Sequence, residues 1–121
     1  MALFGNAHPI DAGQAQQDYA RLLGQGEHVQ AAYLLIRDTI LFTDRRLILV
    51  DKQGITGKKT EYHSIPYRSI THFAVETAGT FDLDAELKIW VSGSSMPIQK
   101  TFTKGVDIYE VQAILTQFVA K

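Results

Sequence analysis

The sequence contains no cysteine among its 121 residues. Disulfides, thiolate zinc sites and cysteine nucleophiles are therefore excluded, and the composition fits a cytoplasmic protein. No window approaches the roughly eighteen consecutive apolar residues of a membrane-spanning helix. The opening stretch MALFGNAHPIDAG lacks the basic start and apolar core of a secretory signal, so we expect no cleaved leader.

An excess of charge of one sign is also lacking. The chain has 12 basic and 13 acidic residues, for a net charge of -1. No global field would therefore drive it onto nucleic acid or an acidic membrane. Its apolar content of 45% is that of an ordinary globular chain. We predict a single domain over residues 1–121 with its own core.

Residues 11–24 have the apolar spacing of a short amphipathic helix. Asp11 is a suitable N-cap, Gln14 stands three residues later as a capping-box partner, and Gly24 is a natural C-terminal stop. The apolar face is narrow, so this helix must dock on something to be stable.

Residues 107–120 predict a second helix, over the last part of the chain. Asp107 is the N-cap and Glu110 occupies the third helical position, which completes a capping box. One apolar stripe runs along the segment. Its members are Ile108, Val111, Ile114, Leu115, Phe118 and Val119.

Residues 27–103, between the helices, predict seven short strands joined by turns. The strands are expected at 27–36, 39–43, 46–51, 58–67, 69–76, 83–91 and 96–103. Pro66 cannot donate to a sheet ladder, so the fourth strand lies at an edge or ends there. A flat sheet of seven such strands would leave two exposed edges. We therefore expect it to bend into two packed halves that nearly close as a barrel, with the last helix over the open end.

Three strand segments lack the alternation of a strand with one solvated face. AAYLLI (31–36), ILF (40–42) and LILV (47–50) are almost continuously apolar, so both faces need cover. The cover is expected from the N-terminal helix, a neighbouring subunit, or both. The residues predicted to face a neighbouring subunit are Leu34, Ile36, Leu41, Ile48, Val50 and Trp90.

The stretch TDRRLILVD (43–51) contains two adjacent arginines. Neighbouring strand residues point to opposite faces, so Arg45 and Arg46 do not form one clamp. We interpret the stretch as a hairpin corner with one arginine on the sheet and one in water. The alternative is an anion site for acidic lipid headgroups. Its candidate contacts are Arg45, Lys52, Lys58 and Lys59.

Three stretches of the sequence carry a family resemblance. They are LFTDRRLILVDKQGITGKKTEYHSIPYRSI (41–70), VETAGTFDLDAELKIWV (75–91) and IYEVQ (108–112). Together they resemble a bacterial pleckstrin-homology-like family, known as a domain of unknown function. The resemblance implies a mainly β fold, a pleckstrin-homology-like barrel of seven antiparallel strands capped by a C-terminal helix, with a short N-terminal helix. It also implies ring-like homo-oligomers, and it implies no ligand.

Groups that could carry chemistry are scattered. The histidines lack metal-ligand spacing, and a pair formed by His63 and His72 across adjacent strands would still need a third ligand. Asp82, Asp84 and Glu86 share the polar side of one strand, where acids are ordinary. No nucleophile elbow, catalytic triad or phosphate loop is visible. We therefore predict no metal, cofactor, catalytic residue or small-molecule substrate.

The function predicted from the sequence is binding and assembly. The chain is expected to be a non-enzymatic, homo-oligomerising module that presents a surface to another, unidentified protein. The alternative is an adaptor at the membrane surface that binds acidic lipid headgroups through its basic loop residues.

Overall fold

The computed structural model describes residues 8–35, 38–53, 59–77, 84–103 and 106–120. The elements within these ranges are, in chain order, β1 (His8–Ile10), α1 (Ala12–Asp18), β2 (Val29–Leu34), β3 (Asp38–Thr43), β4 (Arg46–Gln53), β5 (Lys59–Pro66), a 3₁₀ turn (Tyr67–Ser69), β6 (Ile70–Glu76), β7 (Ala85–Val91), β8 (Ile98–Phe102) and α2 (Ile108–Phe118). Neither of the two helices has the length and apolar character needed to cross a bilayer.

The strands form two antiparallel sheets. Sheet A has the order β1-β2-β3-β4-β5, and sheet B has the order β6-β7-β8. The described ranges thus hold eight strands, and the prediction of seven missed β1. Its Pro9 lies opposite Tyr33 on an edge strand, where a missing N–H costs no ladder bond. The other seven strands match the predicted segments, with ends moved by at most two residues.

The two sheets form a sandwich and do not close into the predicted barrel. The 3₁₀ turn carries the chain from β5, at the edge of sheet A, to β6, at the edge of sheet B, and these two strands do not pair. Pro66 ends β5 at that edge, as predicted. At another junction of the sheets, Lys100 on β8 forms an ion pair with Asp38 on β3 at 2.6 Å.

The main core lies between the sheets. Tyr33 stands at its centre, with edge-to-face ring contacts to Phe42 at 6.0 Å and to Phe102 at 5.8 Å. The predicted stripe of α2 packs here, because Val111 and Leu115 are fully buried in the same cluster. The inward-facing positions of the non-alternating strands are Tyr33, Leu35, Ile40, Phe42, Leu47 and Leu49.

A second apolar cluster covers the outer face of sheet A. Leu41, Ile48 and Val50 point outward from the same strands and are buried against Ala15 of α1. The partly buried residues around them are Ile10, Ala12, Tyr19, Leu22 and Leu23. The missing alternation of these strands therefore has the predicted cause, since both faces are covered, and α1 of the same chain supplies the outer cover.

The helix ends follow the predicted caps in part. The carboxylates of Asp11 and Asp107 accept the N–H groups of Gln14 and Tyr109, at 2.9 Å and 3.0 Å. The Glu110 carboxylate accepts a hydrogen bond from the Tyr33 hydroxyl, and thereby ties α2 to the core. Helix α1 ends at Asp18, well before the predicted stop at residue 24, because the chain tightens into consecutive turns over residues 19–23.

We predict that Leu41→Ala destabilises the fold far more than Leu34→Ala. Leu41 is fully buried beneath α1, whereas Leu34 is 37% exposed on the same face. Emptying the buried site should lower the free energy of unfolding by about 3 kcal/mol, and truncating the exposed leucine by less than about 1 kcal/mol. Urea unfolding of both variants checks this, and equal losses would contradict the cover by α1.

Candidate functional site

The predicted subunit-interface residues do not form one surface. Leu41, Ile48 and Val50 are at most 2% exposed, because α1 of the same chain lies over them. These three residues were predicted to face a neighbouring subunit. The N-terminal helix of the same chain, which was the alternative cover, accounts for the burial of all three. Their burial is already complete, so they offer no area to a neighbouring subunit.

The two other described members of that set lie on opposite faces of the sandwich. Leu34 is exposed on the outer side of sheet A. Trp90 is half-buried on the outer side of sheet B, where its ring stacks on His72 with centroids 4.4 Å apart. Ile36 lies outside the described residues. Because the outer faces of packed sheets point away from each other, Leu34 and Trp90 cannot share one contact patch.

The predicted anion contacts do not converge either. Arg45 lies at the β3–β4 turn, and Lys52 lies seven positions further along β4, a span of about 20 Å at roughly 3.3 Å per residue. Lys59 pairs with Gln53, whereas Lys52 pairs with Thr60, so the two lysines point to opposite faces of the β4–β5 ribbon. Lys58 lies outside the described residues. The described members are thus too dispersed to hold one phosphate group.

The corner TDRR instead forms a polar network around a buried acid, Glu27. The Glu27 carboxylate, in a residue only 3% exposed, receives both Nε and Nη2 of Arg46 at 2.9 Å. It also accepts the Thr43 hydroxyl at 2.7 Å and the Gly24 amide at 2.9 Å. The arginine is therefore on the sheet, as predicted, and it is half of a bidentate ion pair.

The same network fixes the turn itself. The Thr43 hydroxyl accepts the backbone N–H groups of Arg45 and Arg46, each at 3.0 Å, as a turn-forming threonine does. The Tyr67 hydroxyl donates to the Thr43 carbonyl at 2.6 Å. Burial raises the pKa of Tyr67 well above its ordinary range, so it remains a neutral donor.

Both arginines hold the connector between α1 and β2. Arg46 Nη2 donates to the Leu22 carbonyl at 2.9 Å, and Arg45 Nη2 donates to the Gln25 carbonyl at 2.8 Å. Arg45 is exposed, but it is not simply in water as predicted. Gly26 has φ +76, a backbone conformation that favours glycine, so this residue suits the turn at that position.

A helix side chain completes the attachment of α1. The amide of Gln16 donates to the Glu27 carbonyl at 3.0 Å and accepts the Val29 N–H at 2.6 Å. It therefore satisfies the backbone at the start of β2. Sequence reasoning missed Glu27 and Gln16, because neither lies in a recognisable motif and their partners are distant along the chain.

The arginine pair explains the acidity of Glu27. Hydrogen bonds from Arg46, outweighing the opposing effect of burial, lower the pKa of Glu27 from 4.5 to about 2. The hydrogen bond from Glu27 in turn raises the pKa of Arg46. Both groups are therefore charged at neutral pH, and their contacts hold the connector on the sheet.

The strand β5 is the second feature with unusual exposure. Tyr62 pairs with Val50 and faces outward, while His63 pairs with Leu49 and faces inward, yet both are exposed. An outer cleft of about 380 Å³ lies beside Tyr62 and is lined also by Tyr19 and Leu22. An inner cleft of about 250 Å³ lies beside His63. Its other walls are Val91, Ser94, Met96 and Ile98.

The described histidines and carboxylates are not assembled into a metal site. His63 lies on β5 of sheet A and His72 on β6 of sheet B, so the two histidines do not form a pair across adjacent strands. Glu86 on β7 accepts a hydrogen bond from Gln99, and Asp82 lies outside the described residues. Over the parts of the chain that are described, no three such side chains converge on a metal position.

We predict that Glu27→Gln lowers the free energy of unfolding by about 3 kcal/mol at neutral pH, because Arg46 loses its buried partner. Because the pKa of Glu27 is lower in the folded state, its charge stabilises the fold above the unfolded-state pKa of 4.5. This stabilisation is lost as the pH falls towards about 2. The difference between wild type and variant should therefore shrink over that interval. Urea unfolding across pH checks it, with the exposed Glu76→Gln as control; a pH-independent difference would contradict the role of the charge.

We also predict no salt-sensitive binding to vesicles that contain acidic lipids. The described basic residues at Arg45, Lys52 and Lys59 do not converge, and the net charge is -1. Cosedimentation with acidic and zwitterionic vesicles at low and high salt tests this. Binding to acidic vesicles that high salt abolishes, and that the double variant Lys52→Glu/Lys59→Glu lacks, would restore the lipid alternative.

The comparisons with known proteins agree with the fold. A family model described as "Bacterial PH domain" matches residues 1–119. An uncharacterized Bacillus subtilis protein, YjqA, is 58% identical over 114 residues, which cover 93% of this chain and 91% of the relative.

Solved structures are similar over nearly the whole chain. A pleckstrin-homology-domain protein of Shewanella loihica is 50% identical with a TM-score of 0.87, covering 95% of this chain and 98% of its own. One of Shewanella amazonensis, also 50% identical, has a TM-score of 0.78 and covers 98% of this chain and 95% of its own. The match along the chain, the sandwich and the capping helix agree, and the protein belongs to the bacterial PH domain family.

Proposed function

We propose that the chain is a non-enzymatic binding and assembly module whose copies associate through the exposed edge of β5. The observation that carries this proposal is the combination of an edge strand with a cleft on each of its faces. The associated form then presents a surface to a further protein partner.

The edge of β5 is long and poorly protected. It runs over Lys59–Pro66, whereas β1 at the other edge of sheet A has only three residues. A short edge strand is one of the ways in which proteins prevent unwanted pairing. On β5, Lys59 and Pro66 lie at the ends and Glu61 is the one carboxylate between them, so residues 62–65 carry neither a proline nor a carboxylate and can pair with another strand.

The two clefts match the geometry of an added strand. Side chains alternate between faces along a strand. A strand laid beside β5 would therefore send one side chain towards Tyr62 and the outer cleft, and the next towards His63 and the inner cleft. Met96, which is 74% exposed at the inner cleft, would be buried by such a contact.

A second copy is the occupant that we favour. Every copy carries further free edges, at β6 and β8 of sheet B. Pairing of β5 with a different edge of the next copy is a head-to-tail contact, which repeats from copy to copy and gives a ring when the rotation closes. The ring-like assembly expected from the family resemblance has this kind of symmetry.

The non-enzymatic part of the proposal rests on how the polar residues are used. The polar residues that the structure gathers most closely are Glu27, Thr43 and Arg46, and their hydrogen bonds hold the connector to the sheet. No buried side-chain nitrogen or oxygen of the described residues lacks a hydrogen-bond partner. The pKa of Glu27, lowered to about 2 by Arg46, also makes this carboxylate a weak base near neutral pH.

We predict that wild-type protein at micromolar concentration has the mass of an oligomer, and that Tyr62→Glu shifts it to the monomer. The new charge would lie at the middle of the edge, against the partner strand. Light scattering after gel filtration, together with native mass spectrometry, measures the mass.

Tyr109→Glu is the matched control, because Tyr109 is a 65% exposed tyrosine on α2, whereas Tyr62 is 49% exposed on β5. It should leave the mass unchanged. A monomeric wild type would overturn assembly, and an unchanged mass in a folded Tyr62→Glu variant would overturn the β5 edge as the contact.

A further inference from the structure

A third cleft, of about 370 Å³, lies between the β3–β4 turn, the 3₁₀ turn and the end of α2. Its apolar side contains Tyr67 and Phe118, whose rings stack nearly parallel with centroids 4.9 Å apart. Ile70 and Val119 extend this side. The cleft shares no lining residue with the two clefts beside β5.

Two guanidinium groups line the same cleft. Arg45 and Arg68 are both exposed, and the ion pairs of the described chain involve other cations, Arg46 and Lys100. Arg45 is also held in place. Its Nη2 is bonded to the Gln25 carbonyl, and the backbone at Gly24 lies so close that a Cβ there would come within 3.2 Å of its Nη1.

One carboxylate, that of Asp44, lies among these cations. It is fixed because its Oδ1 accepts the His28 N–H at 3.1 Å and its own N–H donates to the His28 carbonyl at 3.0 Å. The charged groups of the lining therefore sum to one positive charge, from two arginines and one aspartate. That sum suits a ligand with a single negative charge and a nearby N–H donor.

We propose that this cleft binds the apolar C-terminal residue of a polypeptide. The terminal carboxylate lies between Arg45 and Arg68, since a guanidinium fork matches carboxylate geometry. The apolar side chain packs on the Tyr67–Phe118 side, and the N–H of the terminal residue donates to Asp44. The ligand class is thus a carboxylate on an apolar body with an adjacent amide.

A phosphorylated headgroup fits the same cleft less well. The last carbonyls of α2 contribute a partial negative charge at this end of the helix, and Asp44 adds a full one. Both oppose a multiply charged phosphate more than a single carboxylate. The cleft also presents aromatic and aliphatic surface, which a carboxylate-terminated residue can bury and a sugar phosphate cannot.

The experiment is a titration of the full-length chain into a fluorescein-labelled peptide, fluorescein-Gly-Ser-Gly-Ser-Phe, made with a free carboxylate and with a terminal amide. Fluorescence anisotropy measures the dissociation constants. We expect the free acid to bind at least about tenfold more tightly than the amide, because charge-assisted hydrogen bonds are lost on capping. Equal binding of the two peptides, or no binding of either, would overturn the proposal.

Variants assign the binding to this cleft. Arg68→Gln and Arg45→Gln should each weaken the free acid about tenfold and leave the amide unchanged. Arg68→Gln is the cleaner change, since Arg45 also holds the connector. Arg21→Gln removes an exposed arginine at the outer cleft and should have no effect. Unchanged binding in both cleft variants would exclude this site.

Competition tests whether the terminal residue alone carries the binding. N-acetylphenylalanine has the carboxylate, the apolar side chain and the amide N–H that contact the cleft, so it should displace the labelled peptide about as well as the unlabelled pentapeptide, whereas N-acetylphenylalaninamide should not displace it. If N-acetylphenylalanine fails to compete, the assigned contacts are wrong. The mass of the assembly is measured in parallel, so failure of this proposal is distinguished from failure of assembly at β5.

Discussion

The contact between the Glu27 carboxylate and Arg46 is the constraint on which the rest of this structure depends. A buried ion pair is weak evidence of stability, because desolvation offsets much of the attraction. Here the carboxylate is satisfied by donors from three places along the chain, Gly24, Thr43 and Arg46. Arg46 also bonds the connector at the Leu22 carbonyl, so the network holds the segment that follows α1 against the sheet.

The position of α1 determines what is left exposed. Since α1 covers the outer cluster, β3 and β4 are buried on both faces. The cover does not extend over β5, where residues 59 and 61–63 are exposed. The edge of β5 and the cleft beside α2, which are the two places where we propose binding, both lie outside the surface that α1 covers.

Much of the fold could be predicted from the sequence, because it rests on short-range patterns. Asp107 and the apolar stripe that follows located α2, and the continuous run at 47–50 predicted two-sided burial. β1 was missed because three residues around Pro9 carry no strand pattern of their own and depend on pairing with β2.

The site was less predictable, because it depends on residues far apart in the chain. Glu27 and Arg46 are separated by much of the first hairpin, and nothing near either residue indicates its partner. The separation of the two histidines was hidden for a related reason. A 3₁₀ turn of three residues, Tyr67–Ser69, places His63 and His72 in different sheets, and its geometry is not visible as a periodic pattern.

The stack of Trp90 on His72 has a spectroscopic consequence. The chain has one tryptophan, and it lies on the outer side of sheet B. The Glu27 network and α1 belong to the opposite sheet. Indole emission is therefore a local reporter of sheet B and does not respond to detachment of α1. Circular dichroism of the helix, or the fluorescence of a tyrosine such as Tyr19, would report that detachment.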